Sequence, residues 1–364
     1  MDDPIRYAVV GAGWIAQAAV LPAFAHARHA RLVTIVSGDE VKRRELAARY
    51  RLRRTWDYEQ YDECLASGEV DAVYVALPNS MHRDYTERAA RAGVHVLCEK
   101  PMATNVEDCE AMIDAARDAG VKLMIAYRLH FEEANLGAIA VVESGVLGDL
   151  RFFTSTISQV TEQGARLDPR LGGGALFDTG IYCVNAARYL FRDEPAEVMA
   201  LQSSVDERFP AGVDETTAAL LAFPGGRLAT FVCSLGAAST SQYRLVGTLG
   251  ELALDPGYTF DEERVQRLTV RECVEVRRFP PADQFAPELD YFADCILRER
   301  DPEPSGEEGL ADVRVLEAIE RSARTFRPER LPPFERNARP TMEQLIKAGP
   351  PPRESLIRAQ PAAR

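Results

Sequence analysis

No stretch narrows the possible folds of this chain more than its first thirty residues. A short apolar strand, Ile5-Arg6-Tyr7-Ala8-Val9-Val10, runs straight into Gly11-Ala12-Gly13-Trp14-Ile15-Ala16 and a helical pattern reaching about Ala27. The first glycine permits a tight turn, and the second lets backbone approach a pyrophosphate. The small residue at the third position lets the helix pack closely on the strand. The N–H groups that open the helix, from Trp14 and Ile15 onward, then point at the phosphates. Glycine-rich turns are common, and this one gains its force from lying between a strand and a helix.

The same alternation continues. Apolar runs at 32–38, 71–76, 94–99 and 122–127 read as strands, and 41–50, 58–66, 81–92 and 105–119 read as helices. Asn79 or Ser80 suits a helix N-cap, and Gly93 and Gly120 suit helix ends. This order predicts a doubly wound parallel sheet. Right-handed crossovers place its strand ends on one edge, where ligands bind. That edge receives Leu77-Pro78-Asn79-Ser80 and Glu99-Lys100-Pro101. Lys100 there is either held beside a cofactor or is an ordinary surface lysine.

The second strand ends where a dinucleotide's ribose is read. Ser37-Gly38 followed by Lys42 and Arg43 suits a 2′-phosphate and favours NADP, whereas Asp39 points towards NAD, which stays possible. Lys42 and Arg43 equally suit a solvated helix start.

Beyond Tyr127 the pattern changes. A helix over about 131–143 precedes strand-like runs at 151–158, 197–202, 216–223, 227–234, 243–246, 251–254, 265–270 and 273–279, with a hairpin signal at Pro224-Gly225-Gly226. Adjoining strands predict an α+β domain on a large, mostly antiparallel open sheet. One face of such a sheet is free for a partner, so a homodimer or homotetramer is expected through it. Glycines 172–174 precede a helix on which Asp178, Tyr182 and Asn185 share a face. Tyr182 is there either a reactive phenol or a core tyrosine with a satisfied hydroxyl. Helices over about 285–300 and 309–325 close the domain. The expected division is 1–127, 128–327 and a proline-rich extended tail, 328–364, lying on the surface or on a neighbouring subunit.

Composition removes other classes. A net charge of −13 over 364 residues disfavours nucleic acid or an acidic membrane as partner. Seven cysteines without a paired framework fit a reducing cytosol, and five histidines without ligand spacing predict no metal. No apolar run approaches the roughly 20 residues of a membrane span. The first strand leaves no room for a leader, so a cytoplasmic location is expected.

Four pieces stand together: the glycine fingerprint with Ala16, Glu99-Lys100-Pro101, Tyr127-Arg128, and Asp178 with Tyr182. In this combination residues 5–327 resemble the glucose–fructose oxidoreductase/inositol dehydrogenase (Gfo/Idh/MocA) superfamily. The glycines before Asp178, Tyr182 itself and Gly306-Glu307-Glu308-Gly309 most resemble its glucose–fructose oxidoreductase branch. The resemblance implies a Rossmann domain followed by an α+β substrate domain. It implies that Gly11, Gly13, Trp14, Ile15 and Ala16 hold the pyrophosphate. Ser37, Gly38, Lys42 and Arg43 would read the 2′-phosphate of NADP, and Leu77, Pro78, Asn79 and His82 would line the nicotinamide. Glu99, Lys100, Tyr127 and Arg128 would bracket nicotinamide and sugar, faced by Asp178 and Tyr182.

The implied reaction moves a hydride between C1 of a glucose- or xylose-like cyclic aldose and nicotinamide, giving a lactone. A second sugar would be reduced in turn if the cofactor is recycled. Tyr182 would take the C1 hydroxyl proton and Lys100 would supply the positive charge that helps it. Asp178 would grip another hydroxyl and keep Lys100 charged. Other readings are an inositol or keto-sugar dehydrogenase, and a non-catalytic regulator that senses a dinucleotide or sugar.

Overall fold

The structure, a computed structural model, describes residues 3–336, 338–350 and 354–360. β1 (Ile5–Val10), β2 (Ala30–Val36), β3 (Ala72–Val75), β4 (His95–Glu99) and β5 (Leu123–Ala126) form an all-parallel sheet in the order β2-β1-β3-β4-β5. β3 and β5 are buried along their whole length, as sheets covered on both faces require. Asp39 and Asn105 cap the helices Glu40–Tyr50 and Val106–Ala119, and Gly120 ends the second in a left-handed conformation.

The first helix departs from expectation. It widens into a π-helical stretch, Ala16–Val20, and its last regular turn ends at Ala23, not near Ala27. Pro22 has no N–H to give the turn before it, and Leu21 N–H reaches back to Ala16 O instead.

The second sheet contains β6 (Leu150–Val160), β7 (Glu197–Ser203), β8 (Thr216–Phe223), β9 (Arg227–Ser234), β10 (Gly236–Gly247), β11 (Gly250–Asp255), β12 (Arg264–Val270), β13 (Cys273–Phe279) and β14 (Glu329–Arg330). Their order is β13-β12-β11-β10-β6-β9-β8-β7-β14, antiparallel throughout except for the parallel pair β6–β9. β10 runs far ahead of the predicted Tyr243, because its first residues are small and polar and carry no apolar alternation. One face of the sheet buries Phe153, Leu221, Phe231 and Leu245 in a core shared with the helices Ile181–Phe191 and Gly306–Thr325. The opposite face exposes Phe152 across from Leu228, Met199 across from Leu220, and Leu201 and Val232 nearby. This is the face the sequence leaves for a partner.

The helix Phe285–Leu297, expected to close the second domain, instead covers the first. Phe285, Leu289 and Phe292 share a core with Ile5, Tyr7 and Val9, and Tyr7 Oη donates to Leu289 O. The described residues of the tail are mostly extended and pack on this chain's own surface. Arg336 pairs with Glu303 and Glu308, Arg339 pairs with Glu194, and Gln344 and Ile357 are buried.

Candidate active site

The carboxyl edge of the first sheet opens in front of the glycine turn. Gly11 has φ +99°, and a Cβ there would collide with Ala76 O, so the turn closes tightly on the segment after β3. A Cβ on the exposed Gly13 would meet nothing within 4 Å. Backbone is thus presented to open space, as contact with a pyrophosphate requires, and the residues fit a dinucleotide.

At the ribose end two expected contacts are turned inward. Ser37 is only 3% exposed, and its Oγ accepts from Asp39 N–H at 3.4 Å. Arg43 donates to Ser37 O and pairs with Asp57 at 2.5 Å. These correct the assignment of Ser37 and Arg43 to the 2′-phosphate; both brace the loop. Gly38 is exposed and Lys42 half-buried. Asp39 accepts from Lys42 N–H at 3.1 Å as the cap of the next helix.

At the nicotinamide end, Leu77, Pro78 and Asn79 follow β3. Asn79 Nδ2 donates to Gly172 O at 2.8 Å and so ties the first sheet's edge to the glycine loop of the second. Gly172 has φ +78°, and a Cβ there would lie 2.6 Å from Thr104 Cγ2, so no larger residue fits this approach. His82 lies deeper than expected. It is fully buried, with its ring nitrogens 2.9 Å from Leu77 O and Pro101 O. It therefore joins the two loops beneath the site and has no surface to offer a cofactor. Glu99 Oε1 accepts from Tyr74 Oη at 2.8 Å, and burial raises its carboxyl above the ordinary range.

Lys100 stands at the end of β4. Its Nζ donates to Asp178 O at 2.8 Å and lies 4.5 Å from the centre of the Tyr182 ring. Arg128 donates to Tyr182 Oη at 3.2 Å and is itself fixed by Gln284 Oε1 and Tyr258 O, both at 2.6 Å. The Tyr182 ring stacks on Tyr258 at 5.9 Å. Two cations from the first sheet's edge thus meet one phenol from the second domain. Lys100, Asp178 and Tyr182 all keep partial exposure.

Three expected roles change. Asp178 reaches Lys100 through its backbone carbonyl; its carboxylate pairs with Arg166 at 2.8 Å and accepts from Gln159 at 3.5 Å. Arg128 is 7% exposed and acts on Tyr182, with little surface left for a sugar. Tyr127 is buried, stacked on His130 at 5.4 Å with Asp312 beside it. Asp178 lies in a second π-helical turn, Leu176–Gly180, a form found often at functional sites. Asn185 leaves the face of Tyr182 and bonds Glu308 and Asp312.

Residues 5–127 match the model of an oxidoreductase family with an NAD-binding Rossmann fold, and residues 136–253 match the GFO/IDH/MocA C-terminal domain. The D-xylose 1-dehydrogenase [NADP(+)] of Haloarcula marismortui is 33% identical over 339 residues, covering 91% of this chain and 94% of that protein. This chain belongs to the GFO/IDH/MocA oxidoreductase family. Among solved structures, the aldose-aldose oxidoreductase from Caulobacter crescentus, complexed with glycerol, superposes with a TM-score of 0.86 at 39% identity, covering 90% of this chain and all of that one. A 3-ketoreductase from Actinomadura kijaniata, in complex with NADP and TDP-benzene, gives 0.80 at 27% identity, covering 88% and 98%.

The two GFO/IDH/MocA matches end at residue 253, yet Tyr258 and Gln284, which hold Arg128, lie beyond that point. Sequence reasoning missed both, along with Arg166 and Gln159. The loop carrying Arg166 has no periodicity to read, and Gln284 is 156 residues from its partner. Among the described residues no group of His, Cys, Asp or Glu is placed to hold a metal, and no helix is long and apolar enough to cross a membrane.

Proposed function

We propose that this chain is an NADP-dependent sugar oxidoreductase acting at C1 of a cyclic aldose to give a lactone. The observation that carries this reading is the phenol of Tyr182, half-exposed and flanked by Lys100 and Arg128 beside the dinucleotide turn. The names of the xylose dehydrogenase and the aldose-aldose oxidoreductase support the sugar and the carbon. NADP is favoured by the dehydrogenase's name and by the ketoreductase complex.

The nicotinamide, when bound, supplies the hydride acceptor. Tyr182 takes the proton of the C1 hydroxyl. Arg128, already donating to the phenol oxygen, and Lys100 above the ring stabilise the charge that this oxygen carries between proton transfers. They are held in place before substrate arrives, so little reorganisation is needed. Arg166 fixes the partly exposed Asp178 carboxylate, which suits it to a second sugar hydroxyl. Run in reverse, the same phenol returns a proton to a carbonyl oxygen. That makes keto-sugar reduction the second reading, favoured by the likeness to the 3-ketoreductase. Reduction of a second aldose by the same site is the finer form of the first reading, in line with the aldose-aldose oxidoreductase.

The test is a panel of aldoses and keto-sugars with NADP, NADPH, NAD and NADH, followed at the nicotinamide absorbance. Reduction of NADP by xylose or glucose, with lactone detected as product, is expected. Turnover of keto-sugars alone would move the assignment to the reductase, and no turnover with any sugar would end both.

A further inference from the structure

We propose that the tail segment Glu354–Gln360 is a strap that completes the dinucleotide site, with Arg358 as a ligand for the 2′-phosphate of NADP. This rests on the NADP reading given above.

Three contacts anchor the segment, each on a different element. Glu354 accepts from Tyr50 Oη at 2.5 Å and pairs with Arg49 at 3.2 Å, on the helix that follows β2. Ile357 is buried in the core of the first sheet. Its N–H donates to Gln17 Oε1 at 2.7 Å, and its carbonyl accepts from Gln17 Nε2 at 3.0 Å. Gln17 Nε2 also donates to Ala12 O at 2.9 Å, inside the glycine turn. One carboxamide therefore stands in for a strand partner and fastens the tail to the loop that holds the pyrophosphate. Gln360 accepts from Gln163, in the second-domain loop that carries Arg166. The segment runs back from the last turn of the helix Glu40–Tyr50 to its cap Asp39, which brings Arg358 to the carboxyl ends of β2 and β1, where the adenosine half of a dinucleotide lies.

Arg358 occupies the middle of the span. Its φ of +46° is left-handed, a conformation uncommon for residues other than glycine and a pointer to a constrained role. Its Nε lies 3.3 Å from Asp39 Oδ2, and its side chain keeps 60% exposure. Asp39 is an acid at the ribose end that would repel a 2′-phosphate, and Arg358 pairs with it. Ser37 is buried and the Arg43 side chain is 18% exposed against 60% for Arg358, so Arg358, with Lys42, is the cation best placed to meet the phosphate. A guanidinium can hold a carboxylate and a phosphate through separate N–H groups, which an ammonium does less well. Its clasp through Gln17 to the glycine turn ties release of the cofactor to the tail.

The experiment uses the full-length protein and Arg358→Gln, with NADP and NAD affinities measured by calorimetry. The substitution is at an exposed side chain and leaves the Ile357–Gln17 clasp intact. NADP binding is expected to weaken at least about tenfold, with NAD binding changed less than about twofold. A second protein lacking residues 354–364 is expected to release NADPH at least about tenfold faster in stopped-flow fluorescence. Unchanged NADP affinity in Arg358→Gln, or an equal loss for both dinucleotides, overturns the proposal. A wild-type protein that itself prefers NAD overturns the NADP reading, and this proposal with it; a loss of the Arg358 effect in an NADP-preferring protein sinks this proposal alone.

Discussion

The helix Ile181–Phe191 carries two polar centres that the sequence presents alike and the structure treats in opposite ways. At its start, Tyr182 meets Arg128 and Lys100 on one side and the cleft on the other. Two turns on, Arg188 has no exposed surface and pairs with Glu194 at 2.6 Å, Glu308 at 2.8 Å and Asp312 at 2.5 Å. Asn185 donates to Glu308 and Asp312, and its Oδ1 lies 2.8 Å from His130 Nε2. Burial pushes the Asp312 carboxyl up. Glu308 is buried too, yet Arg188 and Arg336 hold its carboxyl below the usual range. The second centre is buried, with its charges used on one another. The first has bonding capacity left over, and that surplus is what a reacting group needs.

The widest test of this contrast is Tyr182→Phe. Turnover is expected to fall about 10²–10⁴-fold, the usual worth of a general base, with cofactor affinity and melting temperature nearly unchanged. Wild-type turnover in this variant would remove the distinction between the two centres. Arg188→Leu should do the reverse. It leaves the buried Asp312 without its arginine, while Glu308 keeps Arg336 and Glu194 keeps Arg339, and a stability loss of about 3–5 kcal/mol in urea titrations is expected. A loss under about 1 kcal/mol would mean that the network contributes far less than a buried pair usually does.

The smallest effect concerns His130, whose imidazole is pushed down to about 4 by burial. Between that value and the ordinary 6.5, the unfolded chain binds a proton that the folded chain does not. Stability is therefore lost as pH falls through this window, by about 2 kcal/mol between pH 7 and about 5. His130→Gln keeps a donor for Asn185 and is expected to flatten that part of the pH profile. Identical profiles for the two proteins would show that His130 is not the titrating group.

Much of the first sheet was legible because buried parallel strands are contiguous apolar runs bounded by glycine and proline. Lys100 was legible as a strand-end residue, and Tyr182 as a helix-face residue close to the glycine run. Side-chain direction was not. The chain leaves β5 at Ala126 and turns into a short 3-10 helix from Arg128, and this turn sends the Tyr127 ring towards His130 while Arg128 reaches Tyr182. Ser37 and Arg43 sit at the expected ribose position in sequence, yet Asp57, fourteen residues from Arg43, draws that side chain inward. Arg166, Tyr258, Gln284 and Arg358 arrive through tertiary contacts between distant segments, which leave no local pattern.

The placement of the helix Phe285–Leu297 bears on how the protein comes into being. Tyr7, Val9 and Ile35 owe part of their cover to that helix. On a ribosome the opening strands are finished long before it emerges. A product stopping short of Phe285 shows those side chains to water, where chaperones or other unfinished chains can bind them. The amino-terminal half thus completes its interior only with material encoded near the end of the message.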